Sequence, residues 1–100
     1  MPIGDFVNII PAPVFLLIHL TLFAVGAYFA WRSFDADASL LGYGFTLFAA
    51  AEVSYMTYHL DWTVFLFAHT ISEVLNLGAF VLIFAGVASG LRGRAGEGRA

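Results

Sequence analysis

Three long stretches of apolar residues, separated by short polar connections, dominate the chain. The first runs over 13–31 (PVFLLIHLTLFAVGAYFAW), the second over 38–58 (ASLLGYGFTLFAAAEVSYMTY) and the third over 62–91. A helix needs about 20 mainly apolar residues to cross a hydrocarbon core of about 30 Å. Each stretch meets that length, so the pattern predicts an all-α integral membrane protein of three antiparallel transmembrane helices. Pro11 and Pro13 suit the start of the first helix, where a missing N–H costs nothing. Asp35 or Asp37 stands in the position to cap the second helix, and Asp61 in the position to cap the third. At about 1.5 Å per residue the third stretch exceeds the bilayer thickness, so it is expected to tilt or protrude.

The connections RSFDAD and HLD are too short for anything but antiparallel neighbours, and no repeat or low-complexity linker interrupts the chain. Three parts follow: an outer-side segment 1–12, a three-span unit 13–91 and a tail 92–100. The tail, RGRAGEGRA, is polar and glycine-rich and is expected to be disordered. The FVNII stretch before Pro11 is expected to lie along the outer interface with Tyr58 and Trp62, while Trp31 and Phe34 mark the inner one.

Composition reinforces the membrane reading. Hydrophobic residues make up 61% and charged residues 11%, against about a quarter charged in an ordinary soluble domain. A soluble fold this small leaves a large share of its surface exposed and could not hide so much apolar area. Lipid is therefore an expected partner. There is no lysine; Arg32 follows the first stretch, and Arg92, Arg94 and Arg99 follow the third. These positions fall on one side of a three-span protein, and the other side carries Asp5 and Asp61. The positive-inside rule puts the arginine side in the cytoplasm, which makes this a multi-pass protein of the cell (inner) membrane with its N-terminus outside and its C-terminus inside. The segment MPIGDFVNII has an acid where a signal peptide has a basic region, and the apolar run is too long for a signal core, so the first span is expected to be retained. A net charge of -3 without a basic patch removes nucleic acid from the expected partners. With no cysteine, any metal must use His, carboxylate or amide ligands.

Titratable residues inside a span are costly and mark a candidate functional site. His19, Glu52, His69 and Glu73 lie within or at the edge of the spans, and His59 lies at the outer boundary. Counted from the outer ends at Pro13, Tyr58 and Trp62, His19, Glu52 and His69 all come to about 10 Å below the outer surface at 1.5 Å per residue. Residues three, four and seven apart share a helix face. That rule groups His69, Ser72, Glu73, Asn76 and Phe80 on the third helix, and Glu52, Tyr55, Met56 and His59 on the second, continued by Ala49 and Phe45. On the first, His19 shares a face with Ala12, Gly26 and Ala30, small residues that let membrane helices approach closely. The expectation is a polar layer between the helices near the outer leaflet.

Three chemistries fit such a layer. His and carboxylate are ligands for zinc, iron, manganese or copper, so the leading expectation is a metal site drawn from His19, Glu52, His59, His69 and Glu73. In the same vein, His19 and His69 could serve as ligands of a haem or pigment, in an oligomer or a larger membrane complex. The second is a non-catalytic accessory subunit of a membrane complex that uses these groups to dock against partner helices; self-association or other membrane subunits are the expected partners of the chain. The third is proton or ion handling from the outer face through Glu52, His69, Glu73 and His59. Gly86 and Gly90 form a GxxxG pattern that, like Gly26, reads as helix packing, and Tyr55 and Tyr58 are candidate donors to the carboxylates. Motifs of zinc peptidases, nucleophile elbows and phosphate loops are absent. Three thin helices also enclose little room for a substrate pocket, so an enzyme is the less favoured class.

Overall fold

The computed structural model describes residues 3–99, with side chains described through Gly93. The fold is all-helical. A 3₁₀ helix, Asp5–Ile9, precedes α1 (Ala12–Asp35), α2 (Ser39–His59) and α3 (Phe65–Arg99). Helices α1 and α3 are each long and apolar enough to cross a membrane. Helix α2 falls short of that measure, because Glu52, two glycines and three tyrosines dilute its apolar run.

Both turns are built on aspartates in an unexpected role. Asp37 (φ 60°) and Asp61 (φ 63°) sit in the left-handed region, which a short polar side chain tolerates better than most residues. Each closes the helix before it. Ala38 N–H donates to Ser33 O at 2.8 Å and Trp62 N–H to Thr57 O at 2.9 Å, the long bond of a Schellman-type ending. The start of α2 is flanked by Ala38 and has no side-chain cap. The aspartates expected as N-caps thus satisfy orphan carbonyls of the preceding helix instead. Trp62 and Thr63 fall in the turn, and α3 begins at Phe65 rather than at 62.

Helix α2 stands between the other two, and no Cα of α1 comes within 8 Å of one in α3. Contacts along α2 and α3 run in opposite order. Leu41 meets Gly86, Gly44 meets Ala79 and Ile83, Leu47 meets Gly78, Ala51 meets Ser72, and Ser54 meets Ala68. This seam is made of small residues seven apart: Gly44 and Ala51 on α2, and Ser72, Ala79 and Gly86 on α3. A seven-residue spacing keeps one stripe facing a neighbour over several turns. A Cβ added to Gly44 would lie 2.7 Å from Ile83 Cγ1 and 3.1 Å from Ala79 O, so only glycine permits this approach. Gly86 belongs to the stripe, whereas a Cβ at Gly90 would meet nothing within 4 Å. Within the chain, the second glycine of the GxxxG pattern is not a packing position.

The interior that results is small-residue throughout. Among the described residues the buried apolar side chains are Ala30, Ala49, Ala51, Ala68 and Ala79, while Leu17, Leu66, Phe80 and Phe84 are all more than half exposed. Beyond Leu91 the backbone of α3 continues to Arg99, through the segment whose polar composition predicts disorder. No proline interrupts it there, and Arg, Ala and Glu are good helix formers. The side chains of Arg94 and Arg99, two of the orientation markers, lie outside the described residues.

Candidate functional site

Close approach of α1 to α2 sets the geometry of the first polar contact. Gly26 and Ala30 are buried on α1 and Ala49 on α2. A Cβ at Gly26 would come 2.7 Å from the Phe48 ring and 3.5 Å from Ala49 Cβ. One to two turns away, the narrow separation brings His19 Nδ1 to 2.5 Å from Glu52 Oε2. Glu52 is 5% exposed, and His19 is its hydrogen-bond partner among the described side chains. A buried carboxylate without a partner is costly, so this imidazole is what makes an acid tolerable at that position.

The pair sits in a column of rings. Phe15 stacks on His59 at 5.0 Å, His59 on His19 at 5.3 Å, and His19 on Tyr55 at 5.1 Å. At the far end of the column, Tyr55 O–H donates to Glu73 Oε1 at 2.8 Å. The second carboxylate is thereby tied across the α2–α3 seam, as the first is tied across the α1–α2 seam. Two serines reinforce the α2–α3 seam. Ser72 Oγ, fully buried, donates to Ala51 O at 2.9 Å, and Ser54 Oγ donates to Ala68 O at 3.2 Å. These bonds put 69–73 of α3 at the level of 51–54 of α2. Among the described residues one buried side-chain group is left over, Asn76 Oδ1, which has no hydrogen-bond partner there.

The residues singled out from sequence are therefore distributed as follows. His19, Glu52 and His59 come together between α1 and α2, and Glu73 joins them through Tyr55. His69 does not. It stacks on Phe65 at 5.3 Å and is exposed, as is Glu73. Among the described residues no group of three or more His, Asp or Glu is gathered so as to hold a metal ion. For two histidines to ligate one haem their helices must face each other, and α2 stands between the helices that carry His19 and His69. The seven-residue spacing of small residues is the signal that marks Ser72, which bonds Ala51; Ser54, which bonds Ala68, lies off that spacing and carries no such signal.

Two concave regions flank these contacts. At the end where α1 begins and α2 closes, a cleft of about 410 Å³ is lined by Asn8, Phe15, Tyr58, His59 and Asp61 among others. It reaches His59, and through it the ring column. Further along α1 and α2, a groove of about 510 Å³ is lined by Phe23, Ala27 and Ala30 of α1 and Ala49, Ala50 and Val53 of α2. Chemically the polar set can bond helices, and the His59 imidazole can exchange protons with the cleft it lines. No protein family, curated protein or solved structure matches the chain.

Proposed function

We propose that this chain is an integral membrane protein of three antiparallel spans that serves as a non-catalytic docking subunit, using its His and Glu side chains to hold helices together. The observation that carries this reading is the exposure of His69 and Glu73 at the same level as the buried His19–Glu52 pair. The internal pairs satisfy themselves, so they need no ligand. Exposed His69 does need a partner, because an ionisable group at membrane depth is expensive against lipid, and exposed Glu73, bonded by Tyr55 through one oxygen, has a second oxygen to offer one. A small-residue interior beneath a shell of exposed Leu, Val and Phe supports the membrane setting. Water would favour the reverse arrangement, and packing between lipid-solvated helices relies on small residues.

In the membrane, α2 completes the three spans because α1 and α3 shield it on two sides and Glu52 is paired. Arg32 and Arg92 then face the cytoplasm and Asp61 faces outward. Metal binding by one chain is less favoured, since the donors are divided among separate seams. Proton handling draws on the cleft at His59, but beyond Asn76 the third helix offers no ionisable group before Arg92.

The absence of cysteine makes orientation directly testable. A membrane-impermeant thiol reagent applied to intact cells is expected to label Asp61→Cys and to label Ser33→Cys only after permeabilisation. The reverse pattern contradicts the orientation. For docking, wild-type protein in mild detergent is expected to run larger than a monomer and to shift to monomer size when His69 and Glu73 are both replaced by leucine. A wild type that is monomeric and also forms no adduct with another membrane protein that depends on His69 or Glu73 contradicts the docking reading.

A further inference from the structure

We propose that the partner on this face is a second copy of the same chain, with α3 packed on α3 across a two-fold axis and His69 of each copy bonded to the partner's Glu73. The proposal rests on the docking reading and names the occupant.

Self-complementarity selects a second copy. A two-fold interface is isologous, so whatever residue i does to residue j, j must do to i. One face of α3 presents a base at 69 and an acid at 73, one turn apart, so across a two-fold axis the base of each copy reaches one turn along the partner to its acid. Both copies must share one orientation in the bilayer, so the axis lies along the membrane normal and the two α3 helices run parallel. The axial offset between 69 and 73 is about 6 Å. It is comparable to the offset bridged by charged pairs that flank parallel coiled coils.

The groups are also free to do this. Tyr55 occupies Glu73 Oε1, which fixes the carboxylate and leaves Oε2 for the partner's imidazole. His69 has a ring stack with Phe65 and no side-chain hydrogen bond among the described residues. Leu66, Leu77 and Phe80 flank the pair with 71%, 67% and 69% exposure and supply the apolar contact on either side. The chain already makes a His–Glu bond at this level between His19 and Glu52, so the same chemistry is compatible with this depth.

Cysteine crosslinking in native membranes tests the proposal without first removing any natural thiol. Leu77→Cys on the proposed face is expected to form a dimer of the chain on oxidation, and Leu17→Cys, exposed on α1, is not. H69E alone and E73H alone, each in the Leu77→Cys background, are expected to lower the dimer roughly tenfold or more, two interhelical bonds being worth about a factor of 3 to 16 each. Co-expressing H69E with E73H restores complementarity and is expected to recover the crosslink as a mixed dimer. His69→Phe keeps the stack on Phe65 and removes the bond, so it lowers the dimer with little disturbance to the fold. Tyr55→Phe leaves the dimer unchanged.

A Leu77→Cys chain that stays monomeric, or a dimer indifferent to both H69E and His69→Phe, overturns the proposal. Equal loss with Tyr55→Phe also overturns it, because Glu73 would then act through its own chain. A Glu73-dependent adduct with a different protein overturns the second-copy assignment while leaving the docking reading in place. No adduct of either kind removes both.

Discussion

Replacing Gly44 by alanine adds a methyl group at the tightest point of the α2–α3 seam. Its carbon would lie 2.7 Å from Ile83 Cγ1, 3.1 Å from Ala79 O and 3.1 Å from Ile83 N. Ile83 can rotate away, but two of the three obstacles are backbone, so α3 itself must move outward. Overpacking of this kind costs about 1 to 3 kcal/mol, and a displaced backbone belongs at the upper end. Alanine recovers up to about 1 kcal/mol through its better helix propensity, which leaves Gly44→Ala destabilised by about 2 kcal/mol. The matched control is Gly90→Ala, where nothing lies within 4 Å and only the propensity term acts, for a gain of up to about 1 kcal/mol. Gly26→Ala falls between them, since its closest obstacle is the Phe48 ring, a side chain that can swing. Reversible unfolding in mixed micelles measures all three. A Gly44→Ala protein as stable as Gly90→Ala would refute the packing described for this seam.

Other substitutions probe the turns and the second carboxylate. Asp61→Val puts a β-branched residue at φ 63° and is expected to cost about 1 to 2 kcal/mol, whereas Asp61→Gly is neutral or slightly stabilising; the same unfolding assay separates them. Tyr55→Phe keeps the ring against His19 and deletes the bond to Glu73. It is expected to cost about 0.6 kcal/mol, an average value for an interhelical hydrogen bond in a membrane protein, and a loss above about 2 kcal/mol would mean the hydroxyl does more than tie α2 to α3.

Helix number and approximate extent were legible in the sequence because apolar run length is a direct physical requirement. The common depth of His19 and Glu52 was legible from the residue count along each stretch, although not that the two would pair with each other apart from His69. Three features were not. Asp37 and Asp61 carry the same residue-type signal whether they cap the next helix or close the previous one, and only the backbone angle distinguishes the two. Gly86 and Gly90 match a spacing of four, while the seam follows a spacing of seven through Ser72, Ala79 and Gly86. His69 shares the depth of the buried pair, but depth along a helix says nothing of which neighbour its face meets. Once α2 separates α1 from α3, a single three-helix polar layer gives way to two bonded pairs and one exposed histidine.

Whether the buried acid serves to bond helices is tested most directly by a double-mutant cycle on His19 and Glu52. His19→Ala strands a carboxylate that is 5% exposed and is expected to cost about 1 to 3 kcal/mol. Replacing both residues by leucine removes the acid along with its partner, and the double variant is expected to be more stable than the sum of the two single leucine variants by at least about 1 kcal/mol. Single losses that add to within about 0.5 kcal/mol would contradict the pairing and, with it, the role assigned to the polar layer.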